Sequence, residues 1–367
     1  MNTGDCGSET EQASDSAREL TRAAIEAIDP TRQLDDVLGL SDHLRDALWR
    51  VESANLSPQE TSGGLIVAGM GGSAIGGALA CAALGDRASR RIEIARGYAL
   101  PPWTTPDVTV LCMSYSGDTE ETLAAYDAAG ALGARRIVCS TGGALARGAR
   151  EDGVPVIPLP GGFQPRAAVG YALVVALEVA ALAGVCEQLH TEIDVAAAHA
   201  EQLIEQWGPD AGADSLAKSL AVALHRTTPQ IAGAGLTVPI AYRWKTQINE
   251  NAKRPCFAFE LPELDHNEIV GWEGARDLGR FSAVFLDDHD LHPRVRSRIE
   301  LTRGLVAEHA VIAERVQTIG ESRIERLVSL VLLGDLVSLY LAALDGVDPA
   351  TIESIRRLKA AMQELEA

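Results

Sequence analysis

Short apolar runs that stop in glycine, serine or threonine and feed directly into helices recur along this chain. GLIVAGM (64–70) leads into the small-residue helix AIGGALACAAL, and VTVLCMSYSG (108–117) leads into DTEETLAAYDAAGALG. RIEIARGY (91–98), RRIVCSTGG (135–143) with the helix ALARGAREDG behind it, and VPVIPLPG (154–161) continue the series. Runs that are apolar on both faces and separated by helices predict a parallel sheet wound on both sides by helices, an α/β fold. In such sheets ligands bind beyond the carboxyl ends of the strands, where helices begin.

The order then repeats, although the residues do not. PQIAGAGLTVPIAYRWKTQINENA (229–252) is again strand, glycine-rich turn and helix; CFAFEL (256–261), RFSAVFLDDHD (280–290) and AVIAERVQTIG (310–320) supply further strands. A length of 367 residues suits two domains. We therefore expect a first domain over residues 16–190, with leading helices broken at Asp29-Pro30, and a second over 191–367. YALVVALEVAALAGV and IDVAAAHAEQLIEQWG read as the bridge between them. Two strong helices close the chain, the last starting at Asp348-Pro349, with proline suited to a first turn. Residues 1–15 are too polar and acidic to offset chain entropy by burial, so a disordered tail is expected.

The formal net charge of −19 opposes nucleic acid and anionic membrane surfaces. It also repels a phosphorylated ligand at long range, so any phosphate site must be made locally from backbone N–H groups and hydroxyls. No stretch is apolar for 18 residues without interruption, and the N-terminus does not read as a signal peptide. A cytoplasmic protein is expected. Cys6, Cys81, Cys112, Cys139, Cys186 and Cys256 show no CxxC or zinc-like spacing, so reduced thiols are expected.

Two turns carry the chemistry. GMGGSAIGG (69–77) places Gly71, Gly72 and Ser73 between a strand and a helix; glycines let the backbone approach a ligand and Ser73 adds a hydroxyl. No Lys-Ser/Thr follows, as a Walker A loop requires, and no strand-end acid suits a dinucleotide ribose. Tight strand–helix packing would explain the glycines equally. SYSGDTEET (114–122) gathers Ser114, Ser116 and Thr119 where another helix begins. Capping needs one hydroxyl, not three, and three with free N–H groups make an anion cradle without a cation. The second half's turn, AGAGLTVPIAYR, has lost these serines, so one phosphate site per chain is expected.

Taken in order, GMGGSAIGG, SYSGDTEET, FQPRAAVGY (163–171), INENAKRP (248–255), ELPELDHNEIVGW (260–272) and the RRLK of the final helix carry a resemblance. The first two resemble the sugar-isomerase (SIS) domain. The whole set resembles the bifunctional phosphoglucose/phosphomannose isomerases, over roughly residues 20–365. That resemblance implies two SIS-type doubly wound domains flanked by helices, and interconversion of glucose 6-phosphate and mannose 6-phosphate with fructose 6-phosphate through a cis-enediol. It implies Glu250 as the base, and His266 as the ring-opening group donated across a homodimer interface. It also implies Arg166 near C1–C2 and Lys359 assisting ring opening.

The residues themselves leave these roles open. Glu250, flanked by Asn249 and Asn251, reads as a base if partly buried, since burial favours the protonated form, and otherwise as a surface glutamate. A histidine can move protons near pH 7, which suits His266 to ring opening, while a loop histidine capping a turn is the plainer reading; Arg166 follows the rigid Pro165; Lys359 could equally be a solvated helix residue. Glu263 and Glu268 compete for the role of base. Asp287, Asp288, His289 and His292 look metal-like, yet a solvated acidic turn before a helix at Pro293 is the plainer reading. Neither metal nor cofactor is expected, because the enediol route needs none. The alternatives are a non-catalytic sugar-phosphate-binding SIS regulator, for which a basic recognition helix is missing, and an SIS isomerase for another sugar phosphate.

Overall fold

The computed structural model describes residues 20–365, so the expected tail over 1–15 lies outside the described residues. Three helices lead: α1 (Arg22–Glu26), α2 (Gln33–Leu38) and α3 (Leu40–Ser53). The break at Asp29-Pro30 is present, and the Asp29 carboxylate accepts the Leu34 N–H at 2.8 Å where the chain re-enters a helix.

The first sheet is built from β1 (Gly64–Ala68), β2 (Ile92–Ala95), β3 (Val108–Met113), β4 (Arg135–Ser140) and β5 (Val156–Pro158). All pairings are parallel and the order is β2-β1-β3-β4-β5. Every residue of β1 and β3 is buried, which is why these runs are continuously apolar. Helices α4 (Gly71–Leu84), α5 (Glu120–Ala131) and α6 (Gly143–Glu151) connect the strands. The apolar α7 (Val169–Leu182) packs on α4 and α3, and leads into α8 (His190–Trp207).

The second sheet holds β6 (Thr228–Gly233), β7 (Phe257–Glu260), β8 (Phe281–Asp287) and β9 (Ala313–Gln317), in the parallel order β7-β6-β8-β9. This repeats the β2-β1-β3-β4 portion of the first, so each sheet has a point where the strand order reverses: between β1 and β3, and between β6 and β8. Its connections are α10 (Val238–Ala252), the short α11 (Glu268–Gly271) and α12 (Ala275–Leu278), and α13 (Pro293–Ala307). The helix α9 (Leu216–Leu224), which precedes β6, buries Ala217, Leu220, Ala221 and Leu224 at helical spacing.

Two helices close the chain, α14 (Arg323–Asp345) and α15 (Glu353–Leu365). Ser322 and Glu325 form a reciprocal capping box that starts α14, and Gly346 ends it in the left-handed conformation. By length and composition α14 could cross a membrane, but 89% of its apolar window is buried against α8, α9, α10 and α4. It is the core helix that joins the two halves. Of the cysteines, Cys112, Cys139 and Cys256 are free and buried, and burial pushes the Cys112 and Cys256 thiols up to about 12.

Gly334 in the middle of α14 is required by a neighbour. A Cβ there would lie 2.2 Å from the Trp244 indole of α10, whose N–H donates to the Leu330 carbonyl at 2.7 Å. Alanine is the better helix former, yet Gly334→Ala is expected to lower stability by roughly 1–3 kcal/mol, read from the midpoint of urea unfolding, because the crowded indole must move.

Candidate functional site

The turns after β1 and β3 meet at the reversal point of the first sheet. Residue 69 must be small there: a Cβ on Gly69 would approach the Met113 carbonyl at 2.7 Å. Gly71 faces open space and Ser73 is half-buried in the first turn of α4. Across from them, the Ser114 and Thr119 hydroxyls are 2.8 Å apart, and Ser114 accepts the Gly117 N–H at 3.0 Å. Ser116 is exposed and accepts the Asp118 N–H at 3.3 Å. Thr119 is the N-cap residue of α5 but its hydroxyl makes no capping bond. Ordinary capping therefore does not account for the hydroxyls, and the first N–H groups of α5 remain available to an anion.

Arg166 adjoins this cradle. Gly72 lies against the preceding residue, and a Cβ on it would meet the Pro165 carbonyl at 2.9 Å. Tyr115, within the cradle turn, holds the same loop by donating to the Pro160 carbonyl at 3.0 Å and accepting the Phe163 N–H at 2.9 Å. The Arg166 guanidinium is buried and nearly every N–H is spoken for. Nε donates to Asn251 Oδ1 at 2.7 Å; Nη2 donates to Gln33 Oε1 at 3.1 Å and to the Pro349 carbonyl at 2.6 Å; Nη1 reaches Glu250 Oε2 at 3.3 Å. Burial lowers the Arg166 pKa, and the Glu250 charge opposes that shift.

Glu250 projects from the last turn of α10 with its side chain about one-third exposed, at 33%. The same helix anchors itself in the core through Arg243, which pairs with Asp335 of α14 at 2.6 and 2.9 Å and donates to the Arg166 carbonyl at 3.0 Å. Asn251 completes the network, accepting from Gln33 at 2.8 Å and donating to Ser338 at 2.9 Å. Gln33 and Asn251 were not singled out for this role by sequence. Glutamine in QLDD reads as a polar helix residue, and only the fold reveals that it is buried.

Two adjoining cavities open here, with Ile355 of α15 on both. One, of 410 Å³, is lined by Asn249, Glu250, Lys253 and residues 351–355. The other, of 340 Å³, is lined by Tyr98, residues 118–121 and Ile355, Leu358, Lys359 and Met362. Lys359 thus faces the Thr119 side and not the Glu250 cavity. A larger cavity, 720 Å³, lies at the amino edge of the first sheet and is crossed by an Arg87–Glu192 pair at 2.6 Å, away from these groups.

His266 stands elsewhere. It is exposed in a tight turn over Glu263–His266, past the carboxyl end of β7. Asp265 beside it is pinned to α13 by Arg298 at 2.9 Å and Thr302 at 2.7 Å. Helix α10, roughly 20 Å long, carries Glu250 in its last turn, at the end away from the carboxyl edge of the second sheet, past which His266 lies. Of the competing acids, Glu263 accepts from Asn267 at 3.1 Å, and Glu268 faces an apolar crevice beside Trp272.

The turn after β8 differs from the solvated acidic loop expected of it. Asp287 and Asp288 are buried, because Arg315 pairs with Asp287 at 2.5 Å and Arg326 with Asp288 at 2.9 Å, while Arg326 also binds Asp290. His292 caps α13, accepting the Arg294 N–H at 3.1 Å, and among the described residues no group of His, Cys, Asp and Glu converges to hold a metal. The reversal point of the second sheet is thereby filled by carboxylates and the guanidinium of Arg326.

Residues 213–362 match the family model described as bacterial phospho-glucose isomerase C-terminal SIS domain. The chain is 39% identical over 305 residues to the bifunctional phosphoglucose/phosphomannose isomerase of Caldicellulosiruptor bescii, covering 82% of this chain and 90% of that protein. The Aquifex aeolicus protein of the same name is 33% identical over 312 residues, with 85% and 93% covered. Among solved structures, a hypothetical protein from Thermus thermophilus has the same fold, with a TM-score of 0.72 at 16% identity over 98% of this chain and 95% of that one.

Asp335→Ala would leave the buried Arg243 unpaired and free the helix that carries Glu250. A stability loss of roughly 3–5 kcal/mol is expected in denaturant titration, against well under 1 kcal/mol for the exposed pair broken by Asp210→Ala.

Proposed function

The chain belongs to the bifunctional phosphoglucose/phosphomannose isomerase family, and on that premise we propose that it interconverts glucose 6-phosphate and mannose 6-phosphate with fructose 6-phosphate at one site. The observation that carries this reading is the contiguity of a hydroxyl cradle, a fixed guanidinium and a half-buried carboxylate: Ser114–Thr119, Arg166 and Glu250.

In this reading the phosphate binds the hydroxyls of Ser73, Ser114, Ser116 and Thr119 and the N–H groups at Gly71 and Gly72. The sugar chain extends to Glu250. The carboxylate takes the proton from C2 of the open aldose; the C–H electron pair becomes the C1–C2 double bond and the carbonyl pair moves on to O1. A proton passes from O2 to O1; the O2 electron pair then forms the C2 carbonyl as the C1–C2 double-bond pair takes the proton back from Glu250 at C1, which gives the ketose. Turning the C2–C3 bond of the enediol presents either face of C2, so one base serves both aldoses. Arg166 holds Glu250 and offsets charge, and Lys359 covers the phosphate side of the site.

Ring opening is assigned to His266 of a second subunit. The separation of His266 from Glu250 within one chain supports a homodimer in which each site takes its histidine from the neighbour. We read residues 16–190 and 191–367 as the two SIS units, a division supported by the two separate sheets. A cytoplasmic location fits sugar-phosphate chemistry of this kind.

With glucose-6-phosphate dehydrogenase as sole coupling enzyme, mannose 6-phosphate should yield NADPH, and Glu250→Gln should lower that rate by at least about 1,000-fold. Signal from fructose 6-phosphate alone would restrict the protein to one activity, and undiminished Glu250→Gln would move the base elsewhere. Subunit exchange between inactive Glu250→Gln and His266→Ala proteins should restore about a quarter of wild-type rate, since half the dimers then carry one intact site. No recovery would place both residues' function within one chain.

A further inference from the structure

The same cavity that exposes Glu250 holds a cation that the foregoing reading leaves unused. Lys253 lies one residue past the end of α10, with its backbone in the left-handed region at φ 56°. That conformation suits glycine, and a lysine held there is a strained residue beside a carboxylate site. Its ammonium is fixed by two backbone carbonyls, Glu250 at 2.5 Å and Pro349 at 3.1 Å. An ammonium has three N–H donors, so one is left for the cavity.

Arg166 is less free. Four of its five N–H groups bind Asn251, Gln33, Pro349 and Glu250, so it serves chiefly to hold the base. Asn249, which lines the same cavity, has a buried Oδ1 with no hydrogen-bond partner. The cavity therefore offers a charged donor fixed beside Glu250, with an unpartnered amide oxygen on another lining residue. Burial and the neighbouring Arg166 lower the Lys253 pKa, and the charges of Asp348 and Glu250 oppose that shift.

Resting on the proposed isomerase reading, we infer that Lys253 is a further catalytic residue: its ammonium contacts the sugar oxygen that becomes negative when Glu250 takes the carbon-bound proton. No proton need leave the lysine. The step is stabilisation of the enediolate by a preorganised cation, and it acts more strongly on the transition state than on the bound sugar.

The test uses full-length wild type, Lys253→Gly and Lys253→Arg, with fructose 6-phosphate as substrate. The Lys253→Gly protein should lose at least about tenfold in kcat, with KM within about threefold, and should melt at or above wild type because glycine accepts the left-handed backbone. Lys253→Arg, which keeps the charge, should recover most of the loss. A Gly variant with kcat within about twofold of wild type overturns the inference, as does one whose loss of activity accompanies a lowered melting temperature. A wild-type protein that turns over neither mannose 6-phosphate nor fructose 6-phosphate overturns the isomerase reading itself, a distinguishable failure.

Discussion

A guanidinium taken out of water must find acceptors, and Arg166 finds them on separate stretches of chain. Gln33 comes from the leading helices, Glu250 and Asn251 from the second-sheet helix α10, and the Pro349 carbonyl from the link to the last helix. Arg166 itself stands on the first-sheet loop, against Gly72 of the hydroxyl cradle. A charge buried with all its partners in place is tolerated; one deprived of them is not. The requirement to satisfy this side chain therefore fixes where the halves of the molecule sit. It also holds a carboxylate borne by the second half, Glu250, beside the first-half loop that abuts Gly72. The Arg243–Asp335 pair, on the same helix α10, gives it the firm seat that this geometry needs.

The two sheets share one topology and have diverged in what fills their reversal points. After β3 the turn carries hydroxyls, leaves helix N–H groups unused and opens on a cavity. After β8 it carries Asp287, Asp288 and Asp290, with the guanidinium of Arg326 set among them. Carboxylates repel a phosphate, and an internal cation has taken the space. The second half instead contributes through the far end of α10. One topology thus carries a hydroxyl-lined turn in the first half and a filled one in the second.

Much of this was legible in the residues. The strand runs, the break at Asp29-Pro30 and the existence of two closing helices follow from apolar period and from glycine and proline punctuation, which are local properties, although the last helix begins at Glu353 and not at the expected Asp348-Pro349. The cradle was legible because three hydroxyls at one helix start exceed what capping needs. What was not legible depends on distant partners. Gln33 and Asn251 are polar residues whose burial only the assembled fold decides, and the acidic turn reads as solvated until Arg315 and Arg326 arrive from elsewhere in the chain. Lys253 carries no signal beyond its nearness to Glu250, since nothing about a lysine in a sequence announces a left-handed backbone.

The most direct test of the account is titration calorimetry with a hexitol 6-phosphate, which binds as substrate would but has no carbonyl to isomerise. One ligand per chain is predicted, with binding lost when Ser114 and Thr119 are replaced by Ala and Val. Two ligands per chain, or undiminished binding without those hydroxyls, would contradict it.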